Sequence, residues 1–382
     1  MSKKAKTTKK QLVIEEENKE KKVYTAVSLF SGLGGDSLGM TNAGCKVIGY
    51  NELKPVFCKS HEANFKDCEL ICDGKITDIS KLKDECFDKF KGITDILFAG
   101  FPCQGFSTAG KKADDDPRNT LFLEFLRATK LLEPSLIIGE NVKGLLTRKT
   151  SKGELYIDVI ISEFEKIGYK LVYGIAKTED FNVPQSRERL IIVGVKEGNP
   201  YGWKPVFPTK SNGIKPNLKP IVTYSMEGAV KVDTNWFSEI PQECIITNLE
   251  DENGYPDNNN GHPYLLSKLN ANETSRLYAG KQHERLFSFG KRDSPIHCEI
   301  VDIRKPSKTI ICTYDHQPRL FVPIQNKSGC YLRMFTPDEL KQIQGFPSDY
   351  ILCGNIKEKI VQIGNAVPPP LIKAVVEQVI NF

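Results

Sequence analysis

Between Val23 and Val195 the chain alternates short apolar runs with helical stretches, and this alternation constrains the fold more than any other feature. The runs predict strands over Thr25–Phe30, Val47–Tyr50, Glu69–Cys72, Ile96–Ala99, Leu136–Gly139, Leu171–Ala176 and Leu190–Val195. The stretches between them predict helices over Lys54–Asn64, Asp78–Phe90, Leu121–Glu133 and Leu155–Ile167. Apolar strands joined by helix-length connections imply a mostly parallel sheet covered on both faces, which is an α/β fold.

The pattern changes after Gly198. Residues 199–300 are rich in Pro, Asn, Gly and Asp, with a loop signal at Asp257-Asn258-Asn259-Asn260-Gly261. They read as a second, smaller, irregular domain with a recognition surface. Regular patterning returns with Pro306–Ile311, then with a helix in which Thr336 is the expected N-cap and Pro337 the first helical residue. A last helix, Leu371–Ile380, is apolar enough to pack back on the sheet. The expected division is therefore a tail over 1–22, a first domain over 23–198, the irregular domain over 199–300, and a C-terminal return over 301–382 that completes the first domain.

Composition narrows the class. The 382 residues are 40% hydrophobic and 26% charged, as in ordinary globular proteins. No apolar stretch approaches the ~18 residues that span a membrane, so no membrane partner is expected. Residues 1–22 are Lys-rich and lack an apolar core, so they read as a solvated basic tail rather than a secretory leader. The Lys3-Lys4 and Lys9-Lys10 pairs leave open a nucleic-acid contact or an import signal. Eleven scattered cysteines, an odd number without paired metal-ligand spacing, point to reduced thiols in an intracellular setting and to no metal site. The formal net charge of +5 suits a polyanionic partner without establishing one.

Five places carry candidate chemistry. Ile96–Ala99 runs into Gly100-Phe101-Pro102-Cys103-Gln104-Gly105, so Cys103 lies just past the carboxyl end of a strand, where open α/β sheets bind ligands. It is either a reactive thiol or a small buried filler residue. The first strand enters Phe30-Ser31-Gly32-Leu33-Gly34-Gly35-Asp36, a glycine turn that misses the G-x-G-x-x-G spacing. It disfavours NAD and FAD and admits another adenosine-type cofactor, or a plain turn. Glu52 ends the second strand and could accept from ribose hydroxyls, or simply start a helix. Glu140 follows the apolar run Leu136–Gly139 beside the Cys103 strand, as a candidate proton donor or a cap. Arg187 and Arg189, two apart before a strand, could bind phosphate, hold Glu140 and a base, or form a surface ion pair.

Taken in order, these elements resemble the DNA (cytosine-5) methyltransferase family over most of the chain. The matching runs are Phe30-x-Gly32-x-Gly34-Gly35, Pro102-Cys103-Gln104, Glu140-Asn141-Val142, Gln185-x-Arg187-x-Arg189 and Gln362-Ile363-Gly364-Asn365-Ala366-Val367-Pro368. The resemblance implies a Rossmann-like, S-adenosylmethionine-dependent methyltransferase fold, with residues 199–300 as target-recognition domain. It implies double-stranded DNA as substrate, with a cytosine flipped out of the stack. Cys103 would add to C6 of that cytosine, Glu140 would contact N3, Arg189 would contact O2, and Arg187 would support the site. The cofactor residues would be Phe30, Gly32, Leu33, Gly34, Gly35, Glu52, Ile76, Pro102, Leu121, Asn365 and Val367. Gln104, Ser107 and Arg118 would contact DNA from the loop after Cys103.

One departure stands out. Where the family often has an acidic adenine contact, this chain reads Asp73-Gly74-Lys75-Ile76-Thr77-Asp78, with Lys75 at that place. Asp73 or Asp78 could substitute after a small shift. Two competing readings remain. A tRNA-methylating branch shares the fold, but its Cys-Phe-Thr tripeptide is absent from residues 199–330. An inactive methylase-like DNA-binding protein would be expected to lack Cys103 or Glu140, and both are present. A monomer paired functionally with a restriction endonuclease, in the cytoplasm or in a nucleus, is the expectation that follows.

Overall fold

The computed structural model describes residues 22–102, 121–150, 152–211, 213–232, 234–238, 240–254, 299–315 and 319–381. The expected tail lies outside them except for Lys22, whose Nζ donates to the Tyr201 hydroxyl at 2.6 Å. The Asp257–Gly261 loop also lies outside them.

Seven strands form the main sheet. They are β1 (Thr25–Leu29), β2 (Lys46–Asn51), β3 (Glu69–Leu70), β4 (Ile96–Ala99), β5 (Leu136–Val142), β6 (Tyr169–Lys177) and β8 (Glu188–Lys196), with the short β7 (Gln185–Ser186) just before β8. Their order is β3-β2-β1-β4-β5-β8-β6. All neighbours from β3 to β5 are parallel, and β8 runs antiparallel between β5 and β6. The order reverses between β1 and β4, so the crevice at their carboxyl ends is the place for a ligand.

Side-chain alternation explains the two covered faces. Val27, Leu29, Leu97, Ile137, Leu190 and Ile192 share one core with Phe125, Leu126, Ile157, Ile160 and Phe164. The last five come from α3 (Leu121–Leu132) and α4 (Tyr156–Glu165), which follow α1 (Gly35–Asn42) and α2 (Pro55–Asn64) in the chain. The intervening positions Ala26, Ile96, Phe98, Ile138, Ile191 and Val193 face Leu371, Ile372, Val375 and Val379. Those four lie on the C-terminal helix, which follows two shorter ones; the three are α5 (Pro337–Ile343), α6 (Ile356–Asn365) and α7 (Pro369–Ile380). The end of the chain thus covers the sheet that its beginning starts.

The predicted helix over Asp78–Phe90 is instead two 3₁₀ segments, Ile79–Lys81 and Asp84–Phe90. The Asp78 carboxylate accepts from the Ser80 amide, a local bond that competes with helix continuation, and Leu82 and Lys83 are extended. Ile79, Leu82, Phe87 and Phe90 still reach the core.

A second sheet contains β9 (Val230–Val232), β10 (Ile246–Asn248), β13 (Leu320–Asn326) and β14 (Gly329–Met334) in the order β10-β13-β14-β9, with β11 (Glu299–Ile300) also on β13. A boundary at residue 300 cuts this sheet, because its longest strands come after it. Its core joins Leu218, Val222 and Cys244 to Phe321, Ile324, Tyr331 and Leu340. The short β12 (Ser307–Lys308) pairs with β7 and ties this part to the main sheet. Thr336 caps α5 as expected, within a capping box with Glu339. Glu339 also holds the buried Arg333 guanidinium at 2.7 Å.

Candidate active site

β4 ends at Ala99, and the Gly100 amide still donates to the Leu29 carbonyl at 3.3 Å. Phe101 is buried, and its carbonyl accepts from Asn141 Nδ2 at 3.0 Å. Asn141 Oδ1 in turn accepts from the Val142 amide at 2.8 Å. The chain therefore enters Pro102, which is half-buried, from a fixed point. Cys103, Gln104, Ser107 and Arg118 lie outside the described residues.

Glu140 belongs to β5 rather than following it. Its Oε1 lies 2.8 Å from Nε of Arg189 on β8, and both side chains are nearly buried, at 12% and 13% exposure. Antiparallel pairing of β8 with β5 brings this arginine alongside. Burial lowers the Arg189 pKa, and the carboxylate of Glu140 opposes that shift. A methyl group placed on Gly100 would sit 3.8 Å from both Glu140 Oε2 and Val367 Cγ2. The end of β4, the acid of β5 and the returning C-terminal segment therefore meet at one point.

Arg187 does not share the partners of Arg189. It is buried and donates to the carbonyls of Ile310 and Gly364, at 3.2 and 3.0 Å. Burial, then the like charge of Arg189, pushes its pKa down. Nearby, Gln185 accepts from the Ile310 amide at 2.9 Å and donates to Gln344, which donates to the Ala366 carbonyl. These side chains hold the Gly364–Val367 segment against the sheet.

The glycine turn occupies the other half of the crevice. Phe30 has φ 57°, a left-handed conformation that costs a non-glycine residue roughly 1–3 kcal/mol. The Ser31 amide donates to the Asn51 carbonyl at 3.0 Å. Glu52 is buried beside the turn, where Oε2 accepts from the Gly32 amide at 2.9 Å and Oε1 from the Lys54 amide at 2.8 Å. Burial raises its pKa, and those two amides oppose the shift. Each oxygen keeps a further lone pair.

Other predicted cofactor residues divide into two groups. Leu33 is buried with Phe346, Tyr350 and Ala366, and its carbonyl accepts from the Tyr350 hydroxyl. Gly34 and Gly35 are also buried, and a methyl group on Gly35 would fall 2.1 Å from the Val367 carbonyl oxygen. These three shape the turn from within, and Val367 is the buried partner that presses on it. Phe30 and Leu121 are half-buried against one core cluster, while Asn365 is exposed. Ile76 is 42% exposed. Its loop is tied to β2 by Asn51 Nδ2 on the Thr77 carbonyl at 3.0 Å and by Thr77 Oγ1 on the Leu53 carbonyl at 3.2 Å.

These features fit an adenosine-bearing molecule such as S-adenosylmethionine. Glu52 has acceptor capacity for vicinal hydroxyls. Ile76 and the exposed Leu53 offer apolar surface, and nothing lies within 4 Å of where a Gly32 side chain would start, so a ligand can approach that backbone. Lys75 is exposed. Asp73 pairs with Lys83 at 3.6 Å, and Asp78 caps the 3₁₀ turn, so both acids of this loop are engaged elsewhere. Among the described residues no group of three or more His, Cys, Asp or Glu is placed to hold a metal ion. No helix among them is long and apolar enough to cross a membrane.

Sequence reading missed the layer beneath the turn. Asp36, in the first turn of α1, is 2% exposed and accepts from Ser28, Ser31 and Ser37. Burial pushes its pKa up to about 7, against those hydrogen bonds. Ser37 Oγ also meets Nε2 of the buried His61 at 3.0 Å. The His61 ring stacks on Tyr50 at 3.7 Å, and burial lowers its pKa to about 3. An acid directly after the glycines was the one available signal.

Comparisons with known proteins bear on the family and the fold. The family model described as C-5 cytosine-specific DNA methylase matches residues 24–381. The chain is 30% identical over 375 residues to the type II methyltransferase M1.HphI of Haemophilus parahaemolyticus, covering 94% of this chain and 87% of that protein. It is 31% identical over 358 residues to M.NgoFVII of Neisseria gonorrhoeae, covering 90% and 83%. Among solved structures, Spodoptera frugiperda DNMT2, as a triple mutant, superimposes with a TM-score of 0.61 at 18% identity, covering 92% of this chain and 98% of that one. A putative DNA modification methyltransferase from an Escherichia coli prophage gives 0.56 at 20% identity, covering 94% and 100%. The fold is thus shared with these two structures, and the near full-length match shows that the chain belongs to the C-5 cytosine-specific DNA methylase family.

Proposed function

We propose that the chain methylates C5 of a cytosine flipped out of a specific duplex DNA sequence, through a covalent adduct with Cys103. The observation that carries the reading is the Glu140–Arg189 pair, held 2.8 Å apart beside the end of β4, where the chain enters Pro102. Cytosine C5 is a poor nucleophile. Bonding of the Cys103 thiolate to C6 converts the ring to an enamine that attacks through C5. A free thiol has a pKa near ~8.5, so its surroundings or the bound base must activate it. Glu140 contacts N3 and draws charge from the ring as sulfur adds, and Arg189 contacts O2. Arg187 supports the site from behind through its two carbonyl partners. S-adenosylmethionine would supply the methyl group and leave as the neutral thioether S-adenosylhomocysteine; Phe30, Glu52, Ile76 and the turn around Gly32 would hold it, with Asn365 and Val367 on the C-terminal side. After transfer, the C5 proton leaves to a base or water, the C6–sulfur bond breaks, and the thiolate departs.

The target cytosine lies inside the stack, and extruding it costs a few kcal/mol. Gln104, Ser107 and Arg118 are proposed to contact DNA from the loop after Cys103, and the part around the second sheet to read the sequence. The curated relatives are named type II methyltransferases from bacteria. A cytoplasmic, monomeric modification enzyme paired with a restriction endonuclease is the corresponding role for this chain.

The test is incubation with unmethylated genomic DNA and S-adenosylmethionine, followed by bisulfite sequencing. Protected cytosines within one short motif, absent with Cys103→Ala, support the reading. Methylation by Cys103→Ala at the wild-type rate removes the covalent mechanism. Protection in tRNA but not in DNA replaces the substrate.

A further inference from the structure

Beyond Glu140 the chain makes a basic hairpin that the reaction chemistry does not use. Lys143–Thr147 form a 3₁₀ turn directly after β5, and Leu145 within it is fully buried. The chain then doubles back through a bridge between Lys149 and Leu155. The Thr150 amide donates to the Glu154 carbonyl at 2.8 Å, and the Tyr156 amide donates to the Arg148 carbonyl at 3.0 Å. Leu155 and Tyr156 pack on the main core. These bonds pair the two arms, 148–150 with 154–156, at the carboxyl edge of the sheet.

Its charge is one-sided. Residues 143–155 carry Lys143, Arg148, Lys149 and Lys152 against a single acid, Glu154. Lys143, Lys149 and Lys152 are exposed. Lys143 reaches Glu188 at 2.9 Å, beside Arg189 of the site, with 61% of its side chain still exposed. Lys149 and Lys152 make no ion pair among the described residues. The hairpin leaves the carboxyl edge of the sheet three residues after the acid proposed to meet the base. Three residues span at most about 11 Å, and a lysine side chain adds several more. A flipped nucleotide keeps its sugar and both flanking phosphates on the strand it came from, so those phosphates lie within reach of Lys143.

We infer that the Lys143–Lys152 hairpin is a phosphate-binding arm that grips the backbone of the target DNA strand beside the flipped cytosine. The inference rests on the reading that Glu140 meets that cytosine. Lys143 engages a phosphate next to the flipped nucleotide, and Lys149 and Lys152 engage phosphates further along. Such contacts carry no base information; they fix register and supply affinity that falls with salt.

The test uses the full chain and a labelled duplex of about 25 base pairs, with Kd measured across a salt series. The variant is Lys143→Gln/Lys149→Gln/Lys152→Gln. The control, Lys46→Gln/Lys91→Gln/Lys170→Gln, removes equal charge at the opposite, amino edge of the sheet. Each phosphate contact contributes about 0.9 to the slope of log K against log salt. The hairpin variant is expected to lose roughly 2–3 from that slope and at least tenfold in affinity at low salt, with the control near wild type. Equal slopes for hairpin variant and wild type overturn the inference, as does an equal loss in the control. Bisulfite sequencing of wild-type product decides separately whether the duplex is methylated, so failure of that reading is distinct from failure of the arm.

Discussion

Ser37 Oγ lies 3.0 Å from His61 Nε2 and also donates to Asp36, so one hydroxyl joins two buried groups with opposite titration behaviour. Asp36 has its pKa raised to about 7 by burial, so the folded chain holds a proton there that the unfolded chain loses above about pH 4. That contribution is present at low pH and is lost as pH rises toward 7. His61 has its pKa lowered to about 3, so the unfolded chain takes up a proton below about pH 6.5 that the folded chain refuses. That contribution is present above pH 6.5 and is lost as pH falls. Between about pH 4 and 6.5 the two slopes cancel. Asp36→Asn is expected to expose the histidine slope, with stability falling as pH drops from 6.5 to 4, and to stabilise the chain by at least ~1 kcal/mol at pH 8. His61→Gln is expected to expose the opposite slope. Urea denaturation across pH checks both, and parallel profiles for the three proteins contradict the account.

Asn141 is expected to act as a positioning residue, because it holds the Phe101 carbonyl two residues before Cys103 in the chain. Asn141→Ala releases that carbonyl and the Val142 amide bond together. A misplacement of about 1 Å near the chemistry costs on the order of 100-fold. Single-turnover methylation is expected to slow by roughly 10–100-fold, while S-adenosylmethionine binding by calorimetry stays within about twofold. Equal losses in binding and rate would point to general unfolding instead.

Glu140 and Arg189 differ in what their loss leaves behind. Glu140→Gln keeps the shape and an oxygen acceptor for Arg189 but removes the acid and the countercharge, so methyl transfer is expected to fall by about 10²–10⁴-fold with a smaller loss of thermal stability than Arg189→Ala gives. Arg189→Ala leaves a nearly buried carboxylate without its partner, and a loss of order 3 kcal/mol in stability is expected as well. Rapid-quench rates and thermal melts separate the two cases.

Gly35→Ala tests the cofactor turn without touching its ligand-facing residues. The added methyl would fall 2.1 Å from the Val367 carbonyl oxygen, so the turn or the C-terminal segment must move. Overpacking of this kind costs about 1–3 kcal/mol. Weaker S-adenosylmethionine binding by tenfold or more is expected, alongside reduced stability. Retained affinity would show that Val367 can yield without cost.

Much of the catalytic frame was legible in sequence because strands buried on both faces announce themselves as apolar runs. Ile96–Ala99 matches the observed strand at both ends, and the other predicted strands of the main sheet fall within a few residues of those seen. Glu140 was readable as an acid at a strand end, but its partner was not fixed. The pairing of Arg189 rather than Arg187 with it depends on the antiparallel insertion of β8, which periodicity does not encode. The second sheet was harder. Its strands β9 to β11 have only two or three residues, too short for alternation to register, and β13 and β14 fell in a segment read as return. The Asp36–His61 layer escaped because each residue looks ordinary alone, and only folding puts the rings and hydroxyls together.

The contact between Gly35 and the Val367 carbonyl also has a consequence in time. A chain emerging from the ribosome at about 5–20 residues per second exposes its glycine turn well before Val367. Until then Leu33 lacks its partners Phe346, Tyr350 and Ala366, and the first sheet lacks the covering helix α7. A chain made only as far as the main sheet therefore has its glycine turn without the wall that shapes it, and the turn is complete only once the segment through Val367 has been made.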